Sequence, residues 1–389
     1  MPVIKEIADF TDDLIAIRRD LHEHPELGME EVRTSGIVAK LLKQWGIKVH
    51  EGIGNTGVVG VLDGKQSGRS VGLRADMDAL PIDEKTNLPF ASKTPGVMHA
   101  CGHDAHTTML LGAARYLAHT RNFDGQAVFI FQPAEEGLGG ARAMLADDLF
   151  SRFACEEIYG MHNNPNGRPN VVGVKPGKAM AGADFFDITI KASGAHAARP
   201  HESIDPIVIA TSLVQQLQSI VSRNAPPTEP LVLSVTQIHA GAAYNVIPSE
   251  CSLSGTVRYF DPALIETVRA RMQALCDGAA QGYGVEIDLN SRNIFDVLVN
   301  NEKLSNVMLD IAADVVGSEN VEVLTNLSTG SEDFSDMLQV VPGAYCVVGH
   351  EGTLPLHNDG FILDESILPI GASIYARLIE ARTAAGLEM

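Results

Sequence analysis

At 389 residues the chain is longer than one hydrophobic core usually serves, so two domains are expected. Hydrophobic residues make up 45% and charged residues 20%, the balance of a folded globular protein. A formal net charge of -20 repels phosphate backbones and anionic membranes, which argues against nucleic acid as a partner.

The segment leading to Phe10 carries acids and lacks the apolar run of a secretory leader. No stretch of the sequence approaches membrane-spanning length. Five cysteines, at 101, 155, 251, 276 and 346, are odd in number and scattered, which suits a reducing compartment. A cytoplasmic location is therefore expected. Cys155, Cys251, Cys276 and Cys346 read as buried small hydrophobes.

Residues 56–62 and 71–75 read as buried strands, 107–119 as a helix rich in Ala and Leu, and 128–131 as another strand. Alternating strands and helices predict an α/β sheet covered by helices. Chemistry-bearing residues sit just past the strand ends: Asp76 and Asp78, then Glu135 and Glu136, then His162. In open α/β sheets, sites form at that edge.

From about residue 183 the pattern changes. Phe186, Ile188 and Ile190 alternate with polar residues, as a half-buried strand requires. A helix follows from Asp205-Pro206, then strands at 231–238 and 250–259, a helix from Asp261-Pro262, and a closing strand at 284–289. This β-α-β-β-α-β order predicts a ferredoxin-like domain at 183–293, inserted into a catalytic domain made of 1–182 and 294–389. The last element expected is an apolar helix at 366–382.

Four potential metal ligands crowd into His99-Ala-Cys101-Gly-His103-Asp104-Ala-His106. A Cys and a His two residues apart can share a metal if a Gly-containing turn brings them round. Glu135 and Glu136 end a strand, and paired carboxylates can divide the work, one holding metal and its neighbour moving a proton. Each of His162 and His357 alone reads as structural or exposed. Together with Cys101, His103 and Glu136 they complete a thiolate, imidazole and carboxylate set suited to Zn or Mn.

The segments RRDLHEHPELG, LRADMDALPI, HACGHDAHTTMLLGAA, FQPAEEG, GMHNNP, GAHAARPHESIDPI, NVIPS, GTVRYF, TGSEDFS and PLHNDGF follow one another from residue 18 to 361. In that order the chain resembles the metal-dependent aminoacylase and carboxypeptidase family, in the branch of hippurate hydrolases and auxin-amino-acid hydrolases. The resemblance implies a zinc-peptidase-like catalytic domain with an inserted lid and dimerisation domain. It implies two divalent ions, Zn or Mn with Co or Ni as further candidates, on Cys101, His103, Glu136, His162 and His357, with Cys101 bridging. Glu135 becomes the general base and Asp78 the acid that orients or tunes the site.

The same resemblance nominates His196 as the donor to the developing oxyanion, reaching across a homodimer in relatives. Asn245 and Arg258 are candidates for the substrate carboxylate, and Gly330 and Ser331 for the pocket lining. The implied activity is hydrolysis of N-acyl-L-amino acids, hippurate-like or N-acetylated. Indole-acetyl-amino acids, N-acetyl-diaminopimelate and small peptides are alternative substrates of the same chemistry, and a non-catalytic binding relative is the contrasting class. His22 and His24 are expected to be structural. No G-x-G-x-x-G follows a strand at a helix start, and the G-x-S-x-G elbow of serine hydrolases is absent.

Overall fold

The computed structural model describes residues 3–352 and 354–386; Met1 and Pro2 of the expected leaderless N-terminus lie outside this range. In chain order the first part supplies helices α1 (Thr11–Glu23) and α2 (Val32–Gln44), strands β1 (Lys48–Ile53), β2 (Gly57–Asp63) and β3 (Ser70–Asp76), helix α3 (His103–Thr120), and strands β4 (Gln126–Gln132), β5 (Glu157–Asn164) and β6 (Val172–Val174). The middle part supplies β7 (Gly182–Lys191), α4 (Pro206–Arg223), β8 (Leu231–Ala240), β9 (Glu250–Tyr259), α5 (Pro262–Tyr283) and β10 (Glu286–Phe295). The chain then adds α6 (Glu302–Val316), β11 (Val321–Val323), β12 (Gly343–Gly349) and α7 (Leu368–Arg382).

Two compact units result. The first comprises Met1–Ala179, Val299–Leu327 and Asp333–Met389; the second comprises Met180–Leu298 with Ser328–Glu332. In the first, a mixed eight-stranded sheet runs in the order β1-β2-β4-β3-β5-β12-β6-β11. Strands β4, β3, β5 and β12 are neighbours and mutually parallel, so their C-terminal ends share one edge of the sheet. Burial on both faces explains why β3 and β4 read as continuous apolar runs. Leu73, Phe129 and Tyr159 of the sheet pack with α3, which is buried almost all round, and with Ile374 and Leu378 of α7.

The second unit is an antiparallel sheet in the order β8-β9-β7-β10 with α4 and α5 packed on it. Both helices start as their sequences dictate: Asp205 and Asp261 accept from the backbone N–H two residues on, and a proline occupies the first helical position. Phe186, Ile188 and Ile190 point from β7 into a core with Leu213, Leu217 and Met272. The closing strand, expected at 284–289, runs on to Phe295 because it pairs with β7 along most of its length.

Two local expectations are corrected. Helix α3 begins at His103 rather than Thr107, which puts His103 and His106 on its first turn. Cys155 is half-buried, whereas Cys251, Cys276 and Cys346 are buried as expected.

Candidate metal centre

The shared edge of the four parallel strands is where the chemistry gathers in the first unit. Beyond β3 lie Asp76 and Asp78, beyond β4 Glu135 and Glu136, near the end of β5 His162, and in the loop after β12 His357. The start of α3 adds Cys101 and His103. Gly102 between them has φ +93°, and a Cβ there would meet Asn163 Nδ2 at 2.1 Å. Only glycine lets the chain turn here while keeping Asn163 in place. Asn163 in turn donates to the Cys101 carbonyl at 2.6 Å, fixing the turn that carries the thiol.

Ligand atoms of Cys101, His103 and His162 lie within 4.8 Å of one another, and so do those of Cys101, Glu136 and His357. Cys101 belongs to both groups, as a bridging thiolate would. Each imidazole is oriented through its far nitrogen. His103 Nδ1 donates to Asp78 Oδ1 at 3.0 Å, and His162 Nδ1 donates to the Asn163 carbonyl at 2.7 Å. With Nδ1 protonated in both, Nε2 carries the lone pair, and that of His162 lies 3.3 Å from Cys101 Sγ.

Whether a cation fits here can be judged from what the centre lacks. His103 Nε2 is buried and makes no hydrogen bond, and the buried Glu136 Oε1 lies 3.2 Å from His357 Nε2. Buried polar atoms normally find partners, and a ring nitrogen left without one beside a thiol and a carboxylate marks a place for an ion. The electrostatics agree. Burial and then the Glu136 charge push the Cys101 thiol upward. The Cys101 thiol, followed by the Glu136 carboxylate, pushes His357 up to about 10. The pocket thus draws positive charge, and a thiolate, three imidazoles and a carboxylate are a borderline-soft donor set for Zn or a similar divalent ion.

Asp78 does more than hold one histidine, since its Oδ2 also accepts the backbone N–H of Glu136 at 3.0 Å. Glu135 is buried beside these groups, with its carboxylate grouped with His103 and Glu136.

A further layer escaped the sequence reading. Arg74 donates to Asp76 at 2.8 Å, Asp76 accepts from His106 Nδ1 at 2.6 Å, and His106 Nε2 accepts from the Asn163 backbone N–H at 3.0 Å. His350 Nε2 reaches Asn163 Oδ1 at 2.9 Å. The hints in sequence were Asp76 at a strand end and the crowding of histidines around Cys101. His22, expected to be structural, is buried and bonds Asp104 at 2.8 Å, which also pairs with Arg18.

The remaining candidates lie in the second unit. His196 and Asn245 are exposed and line one open cleft of about 680 Å³ there. Arg258, half-buried on β9, donates to Ser331 and sits 6.0 Å over the Phe185 ring. It has no carboxylate partner among the described residues, and burial lowers its pKa. Gly330 is exposed on the same short segment as Ser331.

Residues 72–381 match the model of peptidase family M20/M25/M40. The hippurate hydrolase of Campylobacter jejuni is 41% identical over 97% of this chain and 98% of its own length. The N-acetylcysteine deacetylase of Bacillus subtilis is 39% identical over 95% and 96%. A crystal structure from Bacillus subtilis, described as a dinuclear metal-binding peptidase from the M20 family, superimposes with a TM-score of 0.81 at 36% identity, covering 96% of this chain and 98% of that one. With its mixed α/β sheet and this breadth of similarity, the chain belongs to peptidase family M20/M25/M40.

Proposed function

We propose that this protein is a metal-dependent amidohydrolase that cleaves N-acyl-L-amino acids into a carboxylic acid and a free amino acid. The observation that carries this reading is the buried, unbonded His103 Nε2, grouped on one side with the Cys101 thiol and on the other with the Glu135 and Glu136 carboxylates. Two divalent ions per chain, held by Cys101, His103, Glu136, His162 and His357, fit that arrangement, with Zn or Mn favoured by the donors and Co or Ni compatible with them. Bound there, such ions supply Lewis acidity to the amide carbonyl and make a water acidic near neutral pH.

The chain's own residues do the rest. Glu135 takes the proton as water attacks the carbonyl carbon and delivers it to the departing amine nitrogen. Asp78 keeps His103 in the tautomer that presents Nε2 and fixes the amide of Glu136, so the carboxylate pair is held in register. His196 is assigned to the oxyanion formed during attack. Arg258 is assigned to the substrate α-carboxylate, for which an unpaired, half-buried guanidinium is suited. Asn245, Gly330 and Ser331 complete the substrate contacts.

Residues 183–293 are read as a lid and dimerisation domain, and 1–182 with 294–389 as the catalytic domain. The exposure of His196 in an open cleft supports a homodimer in which a second copy completes the site. Among the described residues no helix is long and apolar enough to cross a membrane. All five cysteines are free, and a ligating thiol must stay reduced, which supports the cytoplasm as the working compartment.

Release of free amino acid from hippurate and N-acetyl-amino acids tests the reading. Metal-dependent turnover should fall at least roughly 100-fold in Glu135→Gln, the scale of general acid–base catalysis. Turnover indifferent to both chelation and that substitution would overturn it.

A further inference from the structure

Glu31 stands at the position just before α2 where an acid ordinarily accepts an N–H of its own helix, yet it makes no such bond. Glu26 does that work instead, accepting from the backbone N–H of Arg33 at 2.9 Å and Thr34 at 2.8 Å. The Glu31 carboxylate reaches elsewhere: Oε1 accepts from the Ala134 backbone N–H at 2.8 Å, and Oε2 from the Thr56 hydroxyl at 2.5 Å. Its residue is 0% exposed, and it forms no ion pair among the described residues. A carboxylate buried without a cation is costly, and burial pushes this one's pKa upward while Thr56 pulls it down. Such a placement calls for a compensating role.

The role lies one residue beyond its partner. Ala134 has φ +53°, a left-handed conformation that side chains other than glycine's resist. The conformation is boxed in: a Cβ on Gly28 would approach Ala134 Cα to 3.0 Å, and Gly140 donates to the Ala134 carbonyl at 3.0 Å. Glu135 therefore sits between two amides, Ala134 and Glu136, each held by a buried carboxylate, Glu31 and Asp78.

We infer that Glu31 is a positioning residue for Glu135, fixing through the Ala134 amide the strained turn from which the base projects. The inference rests on the reading of Glu135 as general base. Misplacing a catalytic group by about an ångström costs on the order of 100-fold in rate. Glu31→Ala should therefore lower kcat roughly 10- to 100-fold, with KM and metal content unchanged. Glu31→Gln keeps an acceptor for Ala134 and a donor for the Thr56 oxygen, and should retain kcat within about threefold.

The deciding experiment measures kcat, KM, metal content and hydrogen exchange of the Ala134 amide in Glu31→Ala, Glu31→Gln, Glu135→Gln and the Glu31→Ala/Glu135→Gln double variant. Acting through Glu135, the Ala substitution should cost nothing further once Glu135 is Gln, and Ala134 exchange should accelerate in both variants that carry Glu31→Ala but not in Glu135→Gln alone. An equal loss on both backgrounds, or full kcat in Glu31→Ala while Glu135→Gln is inactive, overturns the positioning role alone. Full activity of Glu135→Gln removes the base reading itself. If Glu31→Ala does not fold, a folded Glu31→Gln that loses kcat or Ala134 protection overturns the inference, and one that keeps both supports it.

Discussion

Asp78 binds the His103 ring and, through its second oxygen, the backbone of Glu136, each at 3.0 Å, so one buried carboxylate sets two members of the candidate metal centre. The pairing explains why an acid sits two residues past the end of β3. It also ties the start of α3 to the loop after β4.

Asp78→Asn keeps the shape of this contact and removes its charge. The amide can still accept from one partner but no longer strengthens His103 as a donor. Metal affinity should fall about 10- to 100-fold, the usual effect of losing such an orienting partner. Competition against a chelator reads this directly, and activity should return at raised metal concentration. Unchanged affinity would leave Asp78 without the role assigned to it.

Arg258→Ala should act on binding rather than on the chemical step. A hydrogen bond to a charged group is worth about 1.5–3 kcal/mol, so KM for an N-acyl amino acid should rise roughly 10- to 100-fold with kcat little altered. The corresponding N-acyl amino acid amide, which lacks the carboxylate, should show no such rise. An equal effect on both substrates would remove Arg258 from carboxylate recognition.

Away from the centre, Glu157 is fully buried and bonded by Arg69 at 2.8 Å, Arg382 at 3.0 Å and Tyr159 at 2.8 Å. Burial raises its pKa, but Arg382, Tyr159 and Arg69 outweigh that and leave it below the ordinary glutamate value. A depressed carboxylate contributes stability that is present above its unfolded pKa of about 4.3 and lost as pH falls through the lower folded value. Glu157→Gln should thus cost roughly 3–5 kcal/mol at pH 7, as expected when one partner of a buried pair is removed. Urea unfolding should show that difference shrinking below about pH 4. A difference constant down to pH 3 would contradict this account.

Much of the candidate site was legible because its residues follow strand ends or crowd one short segment: Asp78, Cys101 and His103, Glu135 and Glu136. The alternation in β7 and the Asp-Pro starts of α4 and α5 likewise exposed the β-α-β-β-α-β order. What stayed hidden depends on pairings across long separations. Glu31 lies just before α2 and meets Ala134 only after folding, 103 positions away. His350 and Asn163, 187 positions apart, carry no local signal at all. The start of α3 was misjudged because His103 to His106 looked like a ligand loop, while Gly102 turns the chain early enough for those residues to be helical.

Metal stoichiometry tests the central claim most directly. Protein stripped with chelator, reloaded with Zn or Mn and freed of excess ion should bind two ions per chain, and Cys101→Ala should lose both, because its sulfur belongs to both ligand groups. Retention of two tightly held ions in Cys101→Ala, or no stoichiometric binding by the unaltered chain, would contradict a centre bridged by that thiolate.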